Sequence, residues 1–325
     1  MSQYSKIRKI LSTLKDVDAE KILQSIGDRI RVYPTPRYLE IHREYLNELD
    51  QKESLCGAFA AAYILRGLGY RSHRGEIVDQ DYVAYIARVN VDPRDLEKLK
   101  RLKLEVARLP KDEAEEIMRR NRDIWYKFDD LPTTLKPHEL GASPEGVIRA
   151  IHEISMSELR AIPVKTVSKT EGGFLTEDRM MGLLDIIRRS GEYDAQFILN
   201  LNTRHLLDSE KIPRLSEKLL LGEEFQEIFR ESVGHYIGCG GLIEVDDRCF
   251  LILRETYRRY GAHLQPAEYV RRALLRGDGR EGGVIIVVPA SLEEKVRGML
   301  LDRGFRLEIW DNGSPFIPFT SQRTF

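Results

Sequence analysis

The sequence predicts an α+β chain in which helices lead and an antiparallel sheet follows. Apolar residues recur at helical spacing from Ile7 to Ile154, interrupted by proline and glycine. Apolar runs of strand type, bounded by turn residues, then take over, and about the last hundred residues are the richest in them. The chain has 325 residues, 42% hydrophobic and 32% charged. That is enough for one large domain or two ordinary ones. There is no internal repeat.

In order, Ile7, Ile10, Leu11 and Leu14 give a first helix, and a second periodic piece runs from Ala19 to Ile30. Pro34 and Pro36 end it, and 37–49 resumes a helix through Tyr38, Ile41 and Tyr45. Residues 1–49 form a helical brace in this reading. A small-residue helix opens at Leu55-Cys56 and stops at Gly67 or Gly69. Another covers 76–88, and 93–125 is a charged amphipathic region, with 93–128 a candidate helical insertion or cap. After a Pro-containing loop at 129–142, Ser143 and Pro144 cap and start a helix. Ala161–Val164 reads as a short strand, Leu175–Ile187 as a helix, and Gln196–Leu201 as a buried strand. Residues 203–231 are polar and partly helical. Gly234–Val245 and Cys249–Tyr257 read as a hairpin turning at Asp246-Asp247. A helix over Pro266–Leu275 and a central strand over Gly283–Pro289 follow. Ser291-Leu292-Glu293-Glu294 reads as a capping box, and Phe305–Trp310 as a last strand. The tail through Pro315, Pro318 and Thr320-Ser321-Gln322 reads as loosely ordered. The domain reading is thus 1–49, a main domain over 50–289, and an extension over 290–325.

A net charge of −1 and a pI near 6.7 argue against nucleic acid or an anionic membrane as partner. Three cysteines make no disulfide framework and no C-x-x-C pair. No zinc-ligand spacing and no cofactor signature is present, so none is expected. The N-terminus lacks an apolar signal region, and no apolar run reaches membrane-spanning length. The expectation is a cytoplasmic protein of undetermined oligomeric state.

The chemistry centres on Gln51 through Arg66. A thiol at the positive end of a helix is favoured as thiolate, the form that attacks carbonyl carbon. Gln51, five residues before Cys56, brings an amide donor towards the same point. A base and an orienting group are then required. His235 is the best base, since it follows Gly234 at the start of a strand, where glycine permits close approach. Glu255 is the orienting candidate, at the end of the returning strand after the apolar run Phe250–Leu253. His205 is the next base, and His263 sits in a polar loop. His42, His73 and His152 read as solvated, and Cys239 and Cys249 as inert buried thiols.

Gln, a few residues, Cys-Gly at a helix start, then Gly-His-Tyr on a strand and an acid on the next resembles papain-like cysteine peptidases, most of all the bacteriocin leader-processing type. Gln51-Lys52-x-x-Leu55-Cys56-Gly57-Ala58-Phe59, Asp79-Gln80-Asp81, Gly234-His235, Glu255-Thr256-Tyr257, His263-Leu264-Gln265-Pro266 and Asp278–Val284 look, more narrowly, like an uncharacterised bacterial family of unknown function, over about residues 50–289. The resemblance implies a papain-like fold, with the nucleophile helix packed on a C-terminal antiparallel sheet. It implies Cys56 as nucleophile, His235 as general base and acid, Glu255 as imidazole orienter and Gln51 as oxyanion donor. Two residues depart from the broader pattern: Asp or Asn is usual at Glu255, and the glutamine commonly lies six residues before the cysteine rather than five. The expected function is hydrolysis of a peptide or amide, a protein among the candidate substrates, through a thioester. An acyltransferase using the same thioester and a non-catalytic interaction module are the alternatives.

Overall fold

Strands in the second half of the chain are apolar on both faces, and both faces are covered by helices. The computed structural model of the chain describes residues 3–319. The strands are β1 (Ile30–Pro34), β2 (Ser72–His73), β3 (Glu76–Ile77), β4 (Leu159–Ser168), β5 (Gly172–Gly173), β6 (Gln196–Asn202), β7 (Gly234–Val245), β8 (Arg248–Arg254), β9 (Ala262–Pro266) and β10 (Gly282–Pro289). Eight of them form one antiparallel sheet in the order β5-β4-β10-β6-β7-β8-β9, with β1 added beside β7. β2 and β3 make a separate small hairpin. The architecture is α+β.

Alternation along the strands divides the core. Ile198, Tyr236, Ile285 and Val287 face one side, where the Cys56–Leu68 helix lies among the helices Tyr38–Asn47, Gln80–Ala87 and Pro144–Ile154. Phe197, Leu199, Ile237, Cys239, Val284 and Ile286 face the other, under the helices Glu177–Arg188, Ala267–Leu274 and Glu293–Asp302. The helices Gln3–Leu11 and Ala19–Ile26 close a third cluster over β1, β8 and β9. The Cys56–Leu68 helix is buried from Gly57 to Gly67. Its small residues let it approach β7 closely: a Cβ at Gly238 would overlap the Tyr63 hydroxyl. Gly69 ends it with φ +110, as its stop signal predicts. Ser143 and Thr176 cap their helices by accepting backbone N–H bonds.

Several local expectations are corrected. Ile30–Pro34 is a strand, not the end of a helix, and it pairs with Gly241–Val245 of β7. Phe305–Trp310 forms no strand; its one ladder contact is an isolated bridge between Arg306 and Lys165. Ser291 caps nothing, because a 3-10 turn over Ala290–Leu292 carries the chain into the helix at Glu293. β4 is ten residues long, more than Ala161–Val164. Its Pro163 lies where only one edge has a strand neighbour, the setting in which a missing N–H is tolerated. The tail reading at Thr320–Gln322 lies outside the described residues.

Candidate active site

Cys56 is the first residue of its helix and half-buried. The turn that delivers it is tied down from two sides. Lys52 N donates to Gln80 Oε1 at 2.9 Å, and Lys52 Nζ reaches Asp81 and the Trp125 carbonyl. Glu53 N donates to Asp123 O at 2.8 Å, and the Tyr126 hydroxyl to Glu53 O at 3.2 Å. The two charged helices Pro93–Val106 and Lys111–Arg120 therefore lead into a segment that holds the Gln51–Leu55 turn. Ser54 passes through the turn with φ +63.

His235 enters from β7, paired with Leu201 of β6. It is 2% exposed and Glu255 is fully buried. His235 Nε2 lies 2.5 Å from Glu255 Oε1, and the other carboxylate oxygen accepts from Arg230 Nη1. β7 carries a bulge between Cys239 and Gly241, so Gly238 faces Arg254, and the β8 ladder stops there. Gly241 takes φ +126, and a Cβ on it would overlap the Tyr33 carbonyl. One residue past the ladder, Glu255 is turned towards the ring. With Nε2 held by Glu255, Nδ1 is the nitrogen available to the Cys56 sulfur. Tyr257 stacks on the imidazole, centroids 5.2 Å apart and planes 6° from parallel.

The charges are arranged as a buried row. Burial alone would push the His235 pKa down, but Glu255 and then the Cys56 sulfur outweigh it, and the pKa rises to about 9. Burial likewise opposes ionised Glu255, yet His235 and Arg230 hold its carboxyl well below the ordinary carboxylate range. Arg230 lies over the Tyr260 ring at 3.8 Å. Imidazolium, carboxylate and guanidinium thus pair with one another out of water, with Arg230 Nε left without a partner among the described residues.

Gln51 is buried in the same site. Its Oε1 accepts from the Thr256 hydroxyl, and Thr256 Oγ1 is 2.9 Å from His235 Nε2. Gln51 Nε2 is 3.3 Å from Lys52 O. The structure therefore brings Cys56, His235, Glu255 and Gln51 together. Sequence reasoning missed Arg230 and gave no role to Thr256 or Tyr257. Thr256 and Tyr257 follow directly after Glu255, and that adjacency was the available signal. Arg230 had none, lying in a polar stretch before β7.

The other candidates sit elsewhere. Burial pushes the thiol pKa of Cys239 up to about 11 and that of Cys249 up to about 12. His42 and His73 are buried rather than solvated; His42 stacks on Tyr38, and burial pushes its pKa down to about 4. His152 is half-buried, with Nε2 accepting from Ala161 N at 2.9 Å. His263 belongs to β9, not a loop, and burial pushes it to about 4. His205 Nε2 accepts from Arg204 Nε at 3.0 Å.

A cavity of about 30 Å³ opens at Cys56, lined also by Gly141, Ala142, Asn200, Tyr236 and Arg280. Gly234, read as a point of close approach, is that: the Arg276 guanidinium sits where its Cβ would be, 2.6 Å away. Among the described residues there is no cluster of three or more His, Cys, Asp or Glu suited to a metal, and no helix long and apolar enough to cross a membrane. Compared with known proteins, a model described as a family of unknown function (DUF6885) matches residues 35–311. No curated protein and no solved structure matches.

Proposed function

The chain belongs to the DUF6885 family of unknown function, so its chemistry has to be read from its own site, and we propose a papain-like cysteine-nucleophile hydrolase acting on a peptide or amide bond. The observation that carries the reading is the buried His235–Glu255–Arg230 row ending at the Cys56 sulfur. A structural histidine needs no such row, because burial alone would leave it neutral. Here Glu255, and the Cys56 sulfur after it, outweigh burial and hold it charged, the state in which it serves as proton donor to a leaving amine.

The steps follow from those positions. Cys56 Sγ attacks the carbonyl carbon, and the carbonyl π pair moves to oxygen. The first N–H groups of the helix have no intrahelical acceptor and supply donors for that oxygen. Gln51 is a second donor in this reading, its carboxamide oxygen anchored by Thr256, once its Nε2 leaves the Lys52 carbonyl. Collapse breaks the C–N bond as His235 gives its Nδ1 proton to the nitrogen, leaving a thioester on Cys56. Water then attacks, His235 takes its proton, and the carboxylic acid leaves as the thiolate reforms. Glu255 fixes the ring through Nε2 throughout.

Intact-mass spectrometry with a panel of activated amides and thioesters tests the proposal. Acylation is expected on Cys56, absent in Cys56→Ala, and discharged by water. Discharge only by added amines assigns the transferase instead. No acylation, together with iodoacetamide reactivity no faster than glutathione at about pH 6, overturns the enzyme reading.

A further inference from the structure

Charges around the Cys56 cavity pair off with one left over. Arg276 binds Asp278 in bidentate fashion, at 3.0 and 2.7 Å. Lys165 pairs with Glu281 at 2.9 Å and Lys169 with Asp311 at 2.6 Å. The row behind Cys56 is bonded within itself, with the Glu255 carboxylate lying between His235 and Arg230. Among the described residues Arg280, which lines the cavity, makes no ion pair within 4 Å and donates no guanidinium hydrogen bond; the nearest charge that senses it is Asp311, already bonded to Lys169. Arg280 is half-buried rather than extended into water. Its stem lies against Gly313, whose added Cβ would meet Arg280 Cδ and Nε at 3.4 Å. Its backbone is held too, by Arg280 N to Asp278 Oδ1 at 3.4 Å. A guanidinium placed in a cleft without its anion is a stored half of an ion pair.

We propose that Arg280 is a specificity residue that binds a carboxylate of the substrate next to the bond attacked by Cys56, which makes the substrates acidic peptides or amides. This rests on the hydrolase reading. The cleft at Cys56 is small and partly open, and a carboxylate fits in it beside Arg280. Asn312, which also lines it, is fixed by bonds to Ala142 O at 3.0 Å and the Tyr236 hydroxyl at 3.4 Å. Asn312 is thus held in place, and with Arg276 bonded to Asp278, Arg280 is the lining cation open to an entering anion. The carboxylate is either a chain terminus on the leaving-group side or an acidic side chain on the acyl side.

Alkylation of Cys56 in the full-length protein reads this without a known substrate. Iodoacetate and iodoacetamide deliver the same carbon with and without a carboxylate. Relative to the ratio for glutathione, the iodoacetate-to-iodoacetamide rate ratio at Cys56 is expected to be raised about tenfold or more, the scale of a charge-assisted bond. Arg280→Gln should return the ratio to that of glutathione, and Arg280→Lys should keep most of the preference. Chloroacetyl-glycine against chloroacetyl-glycinamide carries the carboxylate on the leaving side, and aspartyl against asparaginyl fluoromethyl ketone carries it on the acyl side. The pair that discriminates names the source. A glutathione-like ratio with every pair, or a raised ratio unmoved by Arg280→Gln, overturns the proposal. Slow iodoacetamide labelling of Cys56 at about pH 6 is a separate result, and it counts against the hydrolase reading itself.

Discussion

Replacing Glu255 with Gln keeps the shape of the site and removes the charge between two cations. In the native protein the His235 pKa stands near 9, against an ordinary 6.5. At about 1.4 kcal/mol per pH unit, that rise corresponds to roughly 3 kcal/mol in favour of the charged ring. Burial opposes the charge, and Glu255 is the largest influence that overcomes it. In Glu255→Gln the ring should therefore titrate at or below its ordinary value. At pH 7.5 the imidazolium fraction then falls from nearly all to about a tenth, which under the proposed hydrolase mechanism costs turnover roughly tenfold before any loss of orientation. Arg230 keeps its charge and loses its carboxylate, and stranding one member of a buried pair costs about 3–5 kcal/mol of stability. NMR titration of the His235 ring and urea unfolding measure the two effects. Glu255→Gln combined with Arg230→Met should recover much of the stability and none of the ring's elevated pKa. A Glu255→Gln protein whose His235 still titrates near 9 would refute the reasoning.

Wild-type stability should be highest with His235 protonated: the folded pKa lies above the unfolded one, so the contribution is complete below about pH 6.5 and lost as pH rises through about 9, in urea midpoints taken across that window. At pH 7, brief iodoacetamide treatment followed by peptide mapping should label Cys56 alone, since burial holds the other two thiols protonated. Equal labelling of Cys239 would contradict that assignment. Gly238→Ala should cost about 2–3 kcal/mol, because its Cβ meets the Tyr63 hydroxyl against a packed helix. Tyr63→Phe alone should be neutral or stabilising by up to about 1 kcal/mol, as that buried hydroxyl has no partner among the described residues, and should relieve part of the Gly238→Ala penalty in chemical denaturation.

What could be read from the sequence followed from local rules. The Cys56 helix and its glycine stop, the Ser143 cap, and β7 with its following turn all announce themselves in short windows. β1 did not, because Ile30–Pro34 is a strand only by virtue of β7, some two hundred residues later. Phe305–Trp310 has strand-like composition but takes no place in the ladder. The meeting of Glu255 with His235 depends on a one-residue bulge within β7, which the glycines at 240 and 241 permit but do not announce. Arg230 was invisible for a simpler reason: an arginine among polar residues carries no sign of being buried. The histidines misjudged as solvated, His42 and His73, lie on helix or hairpin faces covered by elements distant in sequence.

The span between the two halves of the site also sets a schedule. Cys56 and Glu255 are separated by 199 positions (255 minus 56). At about 5–20 residues per second of translation, the thiol exists for roughly ten to forty seconds before its histidine and acid have both been made. Through that interval the emerging polypeptide carries an ordinary cysteine beside no base. The site can come together only once β7 pairs with β6 and β8, so it assembles after most of the chain has been made.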